Sequence, residues 1–216
     1  MRSSPAAAPA SEAVAREIHD IGCQSIAGEA DVSREYHVTR MWETVPKTFG
    51  RINIPVNNAG IAHNNKVEHM PVELWDRVLG VHLHGTFLMT RAILPGMYAQ
   101  GSGRIINTAS QLAYKGAPVL TAYTAAKGAI LSFTRSIALE IGPGNITINC
   151  VAPEATLTPI LNVVPEETLN AVKAAIPLGR IATVDDIVGS YVFLASEGAR
   201  HYQGQCLSPN RGDYFV

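Results

Sequence analysis

The stretch "GRIINTASQLAYKGAPVLTAYTAAKGAI", residues 103–130, starts as an apolar run closed by small polar residues and ends in a helical pattern. Residues 103–110 read as a strand. Ala126, Ile130, Phe133, Ile137 and Ile141 then recur at helical spacing, and Gly142, Pro143 and Gly144 stop the helix. On that helix Tyr123 and Lys127 share one face, with Cβ atoms about 5–6 Å apart. An ammonium so close favours the phenolate, so the spacing predicts a tyrosine pKa drawn down from about 10 toward neutrality. Such a phenol can give or take a proton at working pH. Ser110 lies thirteen residues before Tyr123 at the strand end, where its hydroxyl could stabilise a developing oxyanion.

Working outward, helical and strand patterns alternate along the chain. Residues 5–21 read as a helix closed by Gly22, and 23–31 as a short strand. A helix follows from Ser33 to Phe49, ended by Gly50, and then "INIPVNNAG" (52–60), a strand running into an Asn/Gly turn. A long amphipathic segment, 71–99, begins at Pro71, a suitable first helical residue. Residues 145–153 read as a strand, 183–196 as a helix with Asp185 near its start, and 204–210 as a last short strand. This alternation predicts an α/β fold with a parallel sheet covered on both faces. No repeat or linker interrupts it, so one domain over residues 1–216 is expected. In such sheets ligands bind beyond the carboxyl ends of the strands, where "NNAG", "TAS" and "VAPEATLT" fall.

The 216 residues are 47% hydrophobic and 16% charged, with a net charge of −1. A well-buried core is expected, and the electrostatic footprint of a nucleic-acid binder is lacking. Cys23, Cys150 and Cys206 form no CxxC pair, so neither a disulfide framework nor a zinc knuckle is indicated, and a reducing, cytoplasmic setting fits. No run reaches the ~18 apolar residues of a membrane span. The opening "MRSSPAAAPA" lacks the apolar region of a secretion signal. His82 and His84 are two apart and point to different sides of a helix; the other histidines lack ligand spacing, so no metal site is expected.

"VNNAG", Ser110 followed after thirteen residues by "YTAAK", "INCVAP" and "PLGR…DDI…FLAS" together resemble the short-chain dehydrogenase/reductase family, in its 3-oxoacyl-carrier-protein reductase-like branch. The order and spacing match over residues 2–213. The resemblance implies a Rossmann-type, doubly wound parallel sheet and hydride exchange between NAD(P)(H) and a carbonyl or secondary alcohol. It assigns Tyr123 as general acid/base, Lys127 as its pKa partner and ribose ligand, and Ser110 as the group that polarises the carbonyl. Asp31 and Val32 would meet the adenine; Asn58, Ala59 and Gly60 would line the adenosine ribose; Thr156 and Thr158 would lie near the nicotinamide and pyrophosphate. Gln111, Tyr114 and residues 157–178 would form the substrate wall. Arg2, near the adenosine ribose, tilts the cofactor expectation toward NADP over NAD. Relatives usually form dimers or tetramers, so a homo-oligomer is expected.

The sequence also departs from that family. The glycine-rich turn between the first strand and first helix is not present, so a sheet truncated at its N-terminus is expected, lacking the first strand, the first helix and most of the second strand. Met1 as a mis-set start is the competing explanation. Residues 23–31 are then expected to pair beside 52–56 or to fray. His82 stands where the family usually has the asparagine that anchors a water in its proton relay, and is carried here as a catalytic candidate. Glu154 replaces a glycine near the expected nicotinamide, Arg211 replaces a late glycine, and Pro55 sits inside a strand. "RGD" (211–213) and "NIT" (145–147) are taken as chance matches to adhesion and glycosylation motifs. Two functions stay open on the sequence: an NAD(P)-dependent reductase or alcohol dehydrogenase, or an inactive relative serving as a structural or regulatory subunit.

Overall fold

Alternating inward and outward side chains on two adjacent strands organise the core. The structure, a computed structural model, describes residues 7–215. In β2 (Ser102–Thr108), Ile105 and Ile106 are both buried but face opposite sides, as the two-residue strand period requires. Ile105 joins Ile146 and Ile148 of β3 (Asn145–Val151) in a cluster closed by Ile93 and Met97. Those two come from helix α4 (Gly85–Gln100). Ile106 and Val151 pack on the other face against Ile187 and Leu194 of helix α8 (Val184–Ala195). Both faces of the sheet are therefore covered.

The sheet holds β1 (Val56–Asn57), β2, β3 and β4 (Cys206–Leu207) in that spatial order, every pair parallel. All four carboxyl ends thus lie along one edge. The remaining helices are α1 (Ala7–Asp20), α2 (Glu35–Phe49), α3 (Val72–Leu79), α5 (Leu112–Lys115), α6 (Thr121–Glu140) and α7 (Glu166–Ala175). Among the described residues no helix is long and apolar enough to cross a membrane, and no three His, Cys, Asp or Glu side chains gather as metal ligands.

Three local expectations need correction. Residues 23–31 form no strand and do not pair beside 52–56. The strand expected over 52–60 contracts to Val56–Asn57. Asn53 and Pro55 accept hydrogen bonds from the Arg104 and Ile106 amides, both at 3.0 Å. Pro55 has no N–H to return, so that part of the ladder is one-sided and regular pairing begins only after it. Pro55 accordingly lies on an edge strand rather than a central one, with Ile54 and Val56 exposed beside it.

The third correction concerns 71–99, which is not one uninterrupted α-helix. Residues Gly80–His84 form a π-turn between α3 and α4. Such a turn shifts the helical face by an inserted residue and is frequent at functional sites. Here it accompanies an inward His82, 1% exposed, while His84 lies against Phe87.

Ile148 is completely buried at the centre of the sheet. Ile148→Ala should cost about 2–5 kcal/mol in urea unfolding, whereas Leu139→Ala, at a position 85% exposed, should stay within about 0.5 kcal/mol.

Candidate active site

Helix α6 sits close to α3 and to the end of β2, with Ala122 and Ala126 buried against Val78 of α3. That close seat lets Lys127, one turn after Tyr123, reach inward. Its side chain is 3% exposed and its Nζ donates to the Thr108 carbonyl at 2.6 Å. The same ammonium lies 5.7 Å from the centre of the Tyr123 ring. Ser110, two residues beyond β2, is buried, and its hydroxyl is near enough to the Tyr123 phenol to favour the phenolate. Its Oγ also accepts from the Leu112 amide at 3.2 Å, which fixes the hydroxyl at the start of α5. His82 meets Tyr123 edge-on, with ring centres 5.3 Å apart. The structure thus brings Ser110, Tyr123, Lys127 and His82 into one group.

Burial sets the electrostatics of that group. It pushes the Tyr123 phenol above its ordinary value, and the Ser110 hydrogen bond only partly offsets this. The expectation of a tyrosine acidified by Lys127 is therefore corrected: spacing brought the cation near, but desolvation of the phenolate sets the direction of the shift. Lys127 itself is lowered to about 8 by burial. His82 is lowered to about 4, by burial first and then by the Lys127 charge, so its imidazole is neutral at pH 7. Its Nε2 lies 2.7 Å from the Ile61 carbonyl oxygen and 3.1 Å from the Ile61 amide nitrogen, while the buried Nδ1 has no protein partner.

The residues expected along a dinucleotide distribute around this group. Asn58, Ala59 and Gly60 follow β1 and are exposed. Gly60 passes so close to His82 that a Cβ there would sit 2.5 Å from the ring Cε1. Asp31 accepts from the Ser33 amide at 3.0 Å and hydroxyl at 2.6 Å, and these bonds with Arg34 and His37 hold its carboxyl below the usual range despite partial burial. Val32 abuts Gly85 at the start of α4, where a Cβ would meet its Cγ2 at 2.9 Å. Thr156 and Thr158 follow β3; their hydroxyls donate to the Glu154 and Thr156 carbonyls at 2.9 and 3.2 Å. Of the expected substrate wall, Gln111 is buried and donates to Asp213 at 2.6 Å, and Tyr114 stacks on Tyr214 at 5.4 Å. Residues 157–169 enclose a groove of about 500 Å³ of their own. Arg2 lies outside the described residues.

Two contributions escaped the sequence reading. Thr108 joins the site through its carbonyl, and its hydroxyl meets Tyr191 at 2.8 Å and Asn58 at 3.1 Å, tying β2 to α8 and to the turn after β1. The second is a pairing of two departures already noticed separately. Glu154, its side chain wholly buried, lies 3.4 Å from Arg211 Nε, and Arg211 also meets Asp186, which Arg180 holds at 2.7 Å. Burial raises the Glu154 carboxyl above its ordinary value and Arg211 opposes the rise. Arg211 occupies φ 52°, the left-handed region in which a glycine is unstrained. The ion pair accompanies that strained backbone, and the signal for it was two glycine replacements of opposite charge.

Arg211→Ala keeps the backbone strain but strands a buried carboxylate, so it should cost about 3–5 kcal/mol in urea unfolding. The loss should be greater at pH 8 than at pH 5: an unpaired buried carboxyl keeps its proton in the folded state, and stability then falls as pH rises past the unfolded value. Removing both groups, Glu154→Ala with Arg211→Ala, should recover most of the loss.

Comparison with known proteins agrees with this geometry. A family model described as Enoyl-(Acyl carrier protein) reductase matches residues 5–212. The chain is 34% identical over 204 residues to a 3-oxoacyl-[acyl-carrier-protein] reductase of Staphylococcus epidermidis, covering 94% of this chain and 84% of that one. Among solved structures, a 3-ketoacyl-(acyl-carrier-protein) reductase from Brucella melitensis complexed with NADH aligns with a TM-score of 0.89 and 33% identity, covering 97% of this chain and 85% of that one. A gluconate 5-dehydrogenase from Burkholderia cenocepacia in complex with NADP and tartrate gives 0.88 and 28%, covering 93% and 79%. With its fold matched and nearly its whole length covered, the chain belongs to the short-chain dehydrogenase/reductase family of NAD(P)-dependent oxidoreductases.

Proposed function

We propose that this chain transfers a hydride between NAD(P)(H) and a carbonyl or secondary-alcohol substrate, with Tyr123 as the general acid/base. One observation carries the reading: the Tyr123 phenol is gathered with Ser110 and His82 beside a buried Lys127 that is held to the Thr108 carbonyl.

The residues present fit a nicotinamide dinucleotide. A buried ammonium and a phenol are suited to ribose hydroxyls, and the orphaned Nδ1 of His82 marks a polar position still to be satisfied beside Tyr123. Lys127 and Tyr123 would hold the nicotinamide ribose, Asn58, Ala59 and Gly60 the adenosine ribose, Asp31 and Val32 the adenine, and Thr156 and Thr158 the nicotinamide end and pyrophosphate. Related structures hold NADP in one case and NADH in another, and either dinucleotide is compatible with these residues. When bound, the reduced cofactor supplies the hydride to the carbonyl carbon.

In the reducing direction Ser110 Oγ donates a hydrogen bond to the substrate oxygen and stabilises the charge developing there. Tyr123, protonated because burial holds its proton on, gives that proton to the oxygen. Lys127 then faces the new phenolate, and its charged form gains the partner that it lacked. His82, neutral at pH 7, keeps Nδ1 available to bind the water that returns a proton to the site. The substrate is a ketone or its alcohol, taken between the loops after β2 and β3, and the molecule works as a homo-oligomer.

Tyr123→Phe removes the proton donor and leaves Ser110 and Lys127 in place. Assayed by NADPH and NADH oxidation against ketones including a 3-oxoacyl thioester, it should lower kcat by about 10²–10⁴-fold. Cofactor affinity should change much less. Equal turnover by wild type and variant would overturn the role given to Tyr123, and none by wild type would favour the reading of a fold kept without catalysis.

A further inference from the structure

Apart from the hydride site, two of the three cysteines are brought together by strand register. Cys150 of β3 is the direct partner of Cys206 in β4. Neighbouring parallel strands lie about 4.8 Å apart, inside the Cα separation of about 4.4–6.8 Å that a disulfide spans. Direct partners project to the same face, and Cys206 packs against the buried cluster that contains Cys150. Both thiols are free, and Cys23 is exposed elsewhere.

The two sulfurs differ in access. Cys150 is 1% exposed, and its Sγ lies 3.1 Å from the Thr134 hydroxyl. Cys206 lines a cavity of about 480 Å³ together with Tyr114, Arg135, Leu139 and Gln203. Neither Ser110, Tyr123 nor Lys127 lines that cavity. An oxidant entering it meets Cys206 first, beside a guanidinium that favours the thiolate.

We propose that Cys150 and Cys206 are a peroxide-reactive thiol pair, Cys206 being the thiol attacked and Cys150 the one that resolves it into an intrachain disulfide. The oxidant is a hydroperoxide. The Cys206 thiolate attacks one peroxide oxygen, the O–O bond breaks, and Cys206 becomes a sulfenic acid as water (or the alcohol of an organic hydroperoxide) leaves. Cys150 Sγ then attacks the Cys206 sulfur; the S–O bond breaks, a second water leaves with the Cys150 proton, and the S–S bond joins β3 to β4. Sulfur has lost two electrons in all and the peroxide has gained them.

The electrostatics favour that order. The neighbouring Cys150 thiol, then Tyr114 and the Arg135 charge, hold the Cys206 thiol below its ordinary value although burial opposes it. Cys150, beside Cys206 and in surroundings that exclude water, is pushed up. The cross-link would lie beneath Tyr114, whose ring carries the C-terminal Tyr214.

The test uses the full chain with Cys23→Ser, exposed to a small excess of hydrogen peroxide and read by non-reducing mass spectrometry and peptide mapping. The expected result is loss of two hydrogens, loss of both free thiols, and a Cys150–Cys206 linked peptide that dithiothreitol releases. Cys206→Ser should leave Cys150 reduced, and Cys150→Ser should let a sulfenic-acid reagent label Cys206. Sulfinic acid at Cys206 with Cys150 still free would overturn the proposal. So would chains cross-linked through Cys206, or oxidation of Cys150 in Cys206→Ser. The readout is mass rather than turnover, so it stands or falls independently of the hydride-transfer reading.

Discussion

Lys127 carries an ammonium into a place with almost no water, and its 2.6 Å hydrogen bond to the Thr108 carbonyl is the compensation that the chain supplies. That bond joins helix α6 to the end of β2. On another face of the same helix, Ala122 and Ala126 are buried against Val78 of α3. Thr108 passes the constraint outward, its hydroxyl meeting Tyr191 of α8 and Asn58 after β1. Two strand ends and two helices are thereby set relative to one cation.

The same burial that makes Lys127 expensive defines the resting state of its neighbours. A phenol in low dielectric keeps its proton, an imidazole loses its own, and an ammonium becomes easier to discharge. A site in that condition holds a proton donor and a cation with unmet demand for a negative partner. Proton transfer from Tyr123 creates that partner. Reactivity in this reading depends on desolvation as much as on proximity.

Much of this arrangement was legible because it is local. Tyr123 and Lys127 need one helical turn, Ser110 needs a strand end, and the apolar runs of β2 and β3 declare themselves without reference to the rest of the molecule. What was not legible depends on neighbours. Spacing fixed how near Lys127 comes to Tyr123, but gave no measure of how much water both would lose. Periodicity over 71–99 tolerates an inserted residue, so the π-turn at Gly80–His84 left no trace although it accompanies the inward His82. The apolar pattern of 23–31 suggested a strand, yet strands exist only in pairs, and no partner is present among the described residues. Glu154 and Arg211, distant in sequence, read as two unrelated blemishes until the fold put one against the other.

Those two residues bear on whether the departures from the family signal decay. A carboxylate introduced beside the expected nicotinamide would repel phosphate and waste solvation if left bare. Here it is drawn into an ion pair with an arginine that tolerates a left-handed backbone, and that arginine is in turn held by Asp186 at the start of α8. Compensation of this kind leaves the groups around Tyr123 in order. Whether they meet a dinucleotide is answered most directly by titrating the full chain with NADPH and NADH and following nucleotide fluorescence. The account predicts saturable binding that Lys127→Ala abolishes or greatly weakens, through loss of the ammonium from the ribose. Absence of binding at millimolar nucleotide, or binding indifferent to Lys127, would contradict it.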